Sequence, residues 1–358
     1  MSESGSRCDN LIERLSDATM GALLLYTVFI GDELGYYKEL VETWLTSEEL
    51  AAETGTHERY AREWLEQQAV AGVLDVEDES VGAKERCYRL PPEYESVLLN
   101  RDSFDYMAQQ GHLIAGGAQP LAAVVEAFRT GEGVPFDAYG SLREGQARTN
   151  RAELRHRLGS QWLPTIPELD DRLRSHDSPQ VADVGCGAGW ASIGIAETYS
   201  NVRVDGYDID EPSVGRAREN VAAAALEDRV TIHTQDIRKL SDSNVYDLTV
   251  AVEVIHDLPN PVTVLEGMRR ITRPDGEVLI IDQRVTDSFT TDVSTVEEMM
   301  YGWSVVHCLP VGMSVQPSVG TGTVMREATV REYASEAGFD DVEILPIDHD
   351  AFQFYRLI

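Results

Sequence analysis

Val181-Ala182-Asp183-Val184-Gly185-Cys186-Gly187-Ala188-Gly189-Trp190 is the stretch on which the fold turns. An apolar run passes into three glycines at alternate positions and then into a helical segment, 191–198. Strand, glycine turn and helix in that order open a doubly wound α/β unit, because glycine permits positive φ and lets a ligand approach the backbone. A dinucleotide loop needs G-x-G-x-x-G, whereas here the spacing is G-x-G-x-G with Trp190 in the sixth place. No Gly-Lys-Ser/Thr follows, so the loop is not built for a triphosphate.

The acids around the loop narrow the ligand further. Asp183 beside the glycines would repel a pyrophosphate but suits a ligand that carries an ammonium group. A second apolar run ends at Gly206-Tyr207-Asp208-Ile209-Asp210. Asp208 lies about 20 residues beyond the loop, where an acid can accept both hydroxyls of a ribose. A third run ends at Thr234-Gln235-Asp236-Ile237, where a carboxylate can accept from an adenine amino group. Beyond residue 178, short apolar runs alternate with amphipathic helices, predicting a largely parallel α/β sheet. Its strands are expected at 180–184, 202–207, 229–234, 246–252, 277–282, 342–347 and 352–358.

This set of residues resembles the class I S-adenosylmethionine-dependent methyltransferases over residues 180–358, the late strand pair included. The resemblance implies a Rossmann-like seven-stranded sheet and S-adenosylmethionine as cofactor. It also implies that Gly185 and Gly187 bracket the methionine part, Asp183 faces its ammonium, and Asp208 and Asp236 take ribose and adenine. Cys186, Gly189, Ile209, Ile237 and Glu253 complete the expected cofactor set.

The fourth strand runs out through Val252-Glu253-Val254-Ile255-His256-Asp257-Leu258-Pro259. Ligands of doubly wound sheets lie beyond the carboxyl ends of the strands. This segment resembles small-molecule O-methyltransferases in which a histidine deprotonates the acceptor, except that Leu258 replaces the Trp common after the His-Asp pair. A neutral imidazole with an ordinary pKa of about 6.5 can take a hydroxyl proton near neutrality. His256 is therefore the candidate general base, with capping of the next helix as its alternative. Asp257 either orients the ring or caps that helix. No metal is expected: the methyl donor is already a cation, and no carboxylate cluster follows strand four.

On the acceptor side, Tyr301, Trp303, His307 and Met313 fall in a long aromatic and sulfur-rich segment, 297–313. They line either an apolar acceptor pocket or the core of a covering helix, and His307 is either a second acid/base or a buried hydrogen-bonded histidine. The implied acceptor is a small aromatic or apolar hydroxyl compound.

The amino-terminal part reads differently. A helix is expected over 11–30, apolar nearly all round in its second half and so buried in its own domain or against a second subunit. Thr46-Ser47-Glu48-Glu49 is a capping box, Gly55 a turn, and Thr56 the expected cap of a helix over 57–71. Runs at 73–76 and 87–90 form a hairpin, giving a winged helix-turn-helix. Between Leu45 and Leu90 stand 11 acids and 5 bases, whereas phosphate contacts need a basic face. The module is read as structural or dimerising. A nucleic-acid methyltransferase, or a cofactor-binding regulator that uses the winged helix on DNA, are the rivals. The expected partition is 1–100 winged-helix and dimerisation domain, 101–178 helical connector contributing to the active-site cover, and 179–358 cofactor-binding domain. Stretches such as 133–136, 139–140 and 300–310 resemble bacterial and archaeal methyltransferases of this two-domain build, which implies a homodimer.

Composition sets the surroundings. The 358 residues carry 62 Asp and Glu against 30 Lys and Arg, a net charge of −32, and only Lys38, Lys84 and Lys239 are lysines. Such a surface suits concentrated salt, where the Debye length shrinks to about 3 Å and carboxylate repulsion is screened. It also opposes polyanionic partners, nucleic acid and anionic membrane alike. Cys8, Cys87, Cys186 and Cys308 are scattered without metal spacing, and the longest apolar run, 20–30, is too short for a bilayer. A halophilic, cytoplasmic, dimeric enzyme is the expectation.

Overall fold

The computed structural model describes residues 3–175 and 177–358, with side chains from residue 7 onward; His176, close to the domain boundary expected at 178, lies outside them. The chain divides into two compact units, one of residues 1–119 with 139–149, the other of 120–138 with 150–358. The region expected as a connector, 101–178, is thus shared between them.

The first unit begins with a helix, Glu3–Glu33. Of its apolar residues only Val28 is fully buried, while Leu11, Ile12, Leu15, Met20 and Leu23 are more than half exposed. The winged module follows. Thr46 caps the helix Ser47–Thr54 in a complete capping box with Glu49. The next helix, Glu58–Val70, is capped by His57, whose Nδ1 accepts from the Arg59 amide at 3.2 Å. The cap expected from Thr56 is absent because its hydroxyl accepts from the Tyr36 phenol at 2.8 Å. Strands β1 (Asp75–Val76) and β2 (Tyr88–Arg89) pair antiparallel as the wing.

A charged cluster lies inside this unit. Arg148 donates to Asp32 Oδ2 at 2.5 Å and to Glu144 at 2.8 Å, and His112 Nε2 lies 2.7 Å from the same Asp32 oxygen. Burial opposes the Asp32 charge, yet the bonds from His112 and Arg148 hold its carboxyl below the usual range. The cluster ties the first helix to those at Gln109–Ala118 and Leu142–Thr149.

The second unit is built on β3 (Gln180–Val184), β4 (Arg203–Asp208), β5 (Val230–Thr234), β6 (Tyr246–Val252), β7 (Thr272–Gln283), β8 (Val342–Ile344) and β9 (Phe352–Leu357). Their order is β5-β4-β3-β6-β7-β9-β8, parallel from β5 through β7, with β9 antiparallel to both β7 and β8. This is the expected seven-stranded, Rossmann-like sheet, and the seven strands fall on the seven predicted runs. Order reverses between β3 and β6, so the crevice at their carboxyl ends is where the fold places a ligand. A π-helical stretch, Leu154–Trp162, packs so closely on the helix Trp190–Thr198 that a Cβ on Gly194 would stand 2.2 Å from the Leu154 carbonyl. No helix among the described residues is long and apolar enough to cross a membrane.

Candidate active site

The glycine loop joins β3 to the helix Trp190–Thr198, and each glycine in it takes positive φ. Gly185 is required by space: a Cβ there would lie 2.4 Å from the Val254 side chain, at the end of β6. Gly187 faces open space, with nothing within 4 Å of where its Cβ would be, so the backbone is bare to a ligand.

Two of the three expected acids build the loop themselves. Asp208 Oδ2 accepts from the Gly187 amide and Oδ1 from the Asp210 amide, each at 2.9 Å. Asp183 Oδ2 accepts from the Ser192 hydroxyl at 2.7 Å and its amide at 3.1 Å. Burial raises both carboxyls, Asp183 to about 6. Asp236 caps the turn Ile237–Lys239 and holds the Arg238 guanidinium at 2.8 Å, so its carboxylate is already engaged by a cation. Cys186 and Ile237 are buried, and Ile209 is 72% exposed just past β4.

Beyond β6 the chain takes a left-handed turn at Glu253, φ 54°, a conformation that costs a non-glycine residue energy and concentrates at functional sites. The Asn150 and Gln283 amides both donate to the Glu253 carboxylate. Burial pushes its pKa to about 7, against the pull of the neighbouring His256. His256 follows on a single 3-10 turn, Ile255–Asp257, 4% exposed. Its Nδ1 lies 2.6 Å from Asp282 Oδ1, at the end of β7, and its Nε2 lies 3.4 Å from Asp257 Oδ1. Helix capping, the alternative for His256 and Asp257, falls instead to Asn260, which caps Pro261–Ile271. Desolvation lowers the proton affinity of the ring, but Asp282 and Asp257 outweigh it and hold the imidazole well above its ordinary pKa.

The expectation that no carboxylates cluster beyond strand four is corrected here. Glu253, Asp257 and Asp282 all surround one imidazole, because β7 lies beside β6 and delivers Asp282 from the next strand. Sequence reasoning missed Asp282, Asn150 and Gln283. The one available signal was that Asp282 ends a predicted strand, on the ligand side of a parallel sheet.

The acceptor-side residues lie along one broken helix. Tyr301 and Trp303 close Thr295–Trp303, His307 and Cys308 lie in a π-helical turn, Ser304–Cys308, and Met313 ends Leu309–Gly312. Tyr301 accepts from Arg326 at 2.7 Å. His307 is buried, edge-on to Phe136 at 5.7 Å, and burial pushes its pKa below the ordinary value. The stretch 133–136 is fixed to this helix, with the Val134 amide donating to the Pro310 carbonyl at 2.8 Å. His307 and Cys308 thus come close to His256, whereas Tyr301 is drawn toward Arg326.

Sheet order, glycine loop and the acids at three successive strand ends define a Rossmann-like methyltransferase fold, and similarity to known proteins agrees. Residues 175–336 match the family model of a methyltransferase domain, and residues 22–101 that of an Rv2258c-like winged HTH domain. The chain therefore carries a winged-helix domain followed by a methyltransferase domain. It is 32% identical to the 27-O-demethylrifamycin SV methyltransferase of Amycolatopsis mediterranei (strain S699), over 42% of this chain and 57% of that one. It is 30% identical to methyltransferase GfsG of Streptomyces halstedii, over 32% and 41%. The matches thus span about half the length of these relatives. The fold is shared with mitomycin 7-O-methyltransferase MmcR (TM-score 0.68, 18% identity, 99% of each chain). It is shared too with human N-acetylserotonin methyltransferase solved in complex with SAM (TM-score 0.67, 18% identity, 100% and 99%). S-adenosylmethionine fits the residues present: bare backbone at Gly187, the acids Asp183 and Asp208 beside it, and the carboxylates of Asp257 and Asp282 at His256.

Proposed function

We propose that this protein transfers the methyl group of S-adenosylmethionine to the hydroxyl of a small aromatic or apolar compound. The observation that carries the reading is His256, held through Nδ1 by Asp282 at the carboxyl end of the parallel strands. Asp282 accepts from Nδ1–H, which fixes the tautomer and leaves the Nε2 lone pair to take the acceptor's proton. The sulfonium supplies an electrophilic methyl group and a positive charge that favours a deprotonated ring beside it. The remaining work is placement, since acceptor oxygen and methyl carbon must stand in line at about 3–3.5 Å. Asp183, Asp208 and the loop glycines hold the cofactor in this reading, and Asp257 borders the acceptor. The oxygen acceptor is supported by a relative whose name gives an oxygen as the site of methylation, the 27-O-demethylrifamycin SV methyltransferase. Calorimetry with S-adenosylhomocysteine tests the cofactor: one equivalent is expected to bind, and a folded protein that binds none overturns the proposal.

The active form in this reading is a homodimer joined through the first helix, whose exposed Leu11, Ile12, Leu15, Met20 and Leu23 make an apolar face that water does not favour. Sedimentation at micromolar concentration is expected to give a dimer, and the double variant Leu15→Glu/Leu23→Glu a monomer; a monomeric wild type refutes it. The carboxylate surplus is read as adaptation to concentrated salt, and the four free thiols as a reducing cytoplasm.

A further inference from the structure

We propose that His256 Nε2, Asp257 Oδ1 and Cys308 Sγ form a binding site for a zinc-class divalent cation, and that its occupation silences methyl transfer. The three ligand atoms come from two elements, the turn after β6 and the π-helical turn Ser304–Cys308, and all lie within 4.8 Å of one another. Nitrogen, carboxylate and thiol together are the donor set that zinc-class cations prefer.

The spacing is close to what such an ion imposes. Nitrogen and oxygen ligands bound at about 2.0–2.1 Å in a tetrahedron stand about 3.4 Å apart. His256 Nε2 and Asp257 Oδ1 are 3.4 Å apart already. The Cys308 thiol lies within 4.8 Å of both, and a metal–sulfur bond of about 2.3 Å would set its edges of the tetrahedron at about 3.6 Å.

Three further observations point to a cation rather than to a finished hydrogen-bond network. Asp257 Oδ1 is buried with no hydrogen-bond partner, an expensive state for a carboxylate oxygen. Asp282 holds His256 from behind at 2.6 Å, the carboxylate–histidine arrangement that orients imidazole ligands of metals. Asp257 and Asp282 also share that one imidazole as ion-pair partner, with Glu253 adding its field, so negative charge exceeds positive around the ring.

Coordination would consume the Nε2 lone pair. The metal–nitrogen and metal–sulfur bonds form as the thiol proton, and any proton on Nε2, pass to buffer. A metallated Nε2 cannot accept a proton from a hydroxyl, so methyl transfer stops. That half of the proposal rests on the methyltransferase reading; the binding half does not.

The experiment uses the full chain with its two less buried thiols removed, Cys8→Ser/Cys87→Ser, titrated with Co²⁺ and then with Zn²⁺. One equivalent of Co²⁺ is expected to give a sulfur-to-cobalt charge-transfer band that Zn²⁺ abolishes. Adding Cys308→Ala should remove the band and weaken Zn²⁺ binding at least tenfold, and Asp282→Asn should weaken it about 10–100-fold. Absence of the band from the folded Cys8→Ser/Cys87→Ser protein overturns the site, as does equally tight Zn²⁺ binding after Cys308→Ala. In turnover, Zn²⁺ inhibition of Cys308→Ala, scaled to that variant's own metal-free rate, should have its midpoint shifted by the same factor as its affinity. Zn²⁺ binding that leaves turnover intact overturns the silencing. Because cobalt absorption needs no turnover, failure of the metal site and failure of the methyltransferase reading are told apart.

Discussion

Replacing His256 by Ala is expected to lower methyl transfer about 10²–10⁴-fold while S-adenosylhomocysteine still binds as in the wild type. The imidazole is 4% exposed, locked by Asp282, and takes no part in capping the helix that follows. A ring so placed has its Nδ1 committed to Asp282 and turns Nε2 toward Asp257. Turnover and cofactor affinity have to be measured separately, because removing a buried ring could also disturb the loop that Val254 supports against Gly185. If turnover falls less than about tenfold, the proton leaves by another route.

The second large effect belongs to stability. Arg148→Met should cost about 3–5 kcal/mol, the usual consequence of stripping one partner from a buried ion pair. Arg148 and Asp32 are each about nine-tenths buried, and the guanidinium also reaches Glu144 and the Tyr106 phenol. Removing it leaves Asp32 to His112 alone. By contrast Arg59→Ala breaks a pair whose side chains are more than half exposed, and should leave stability nearly unchanged. Denaturant midpoints of the two variants at one salt concentration provide the check, and equal shifts would refute the distinction. The sign of the pH dependence follows from Asp32, whose folded pKa lies below its ordinary 3.8. Its pairing stabilises the fold above that value, and the contribution is lost as pH falls through the folded pKa. The deficit of Arg148→Met should therefore shrink in acid.

The sheet was legible because its signals are local. Each strand is an apolar run ended by Gly, Asp or a polar turn, and the loop 185–189 states its own backbone demands. The winged module was legible for the same reason, through Thr46, Gly55 and the hairpin runs. The site was legible only in part. His256 announces itself by following strand four, but the residue that orients it, Asp282, is 26 positions away and meets it only because β6 and β7 are neighbours. Asn150 reaches Glu253 across 103 positions. No periodicity records such meetings. Thr56 illustrates the opposite failure, a correct local signal for a cap overridden by a tertiary hydrogen bond from Tyr36.

The π-helical turn at Ser304–Cys308 has a consequence for how this site can vary. A π turn holds one residue more than an α turn, so the helix Leu309–Gly312 and everything after it are set one step out of phase with Thr295–Trp303. Which side chains face His256 is thus decided by residue count as well as by residue type. Deleting a single position within 304–308 would restore ordinary helical pitch and swing Cys308 away from the imidazole, with no substitution at any residue of the site. Relatives of different length here can therefore present different chemistry to the same base, and their likeness has to be judged by register before it is judged by identity.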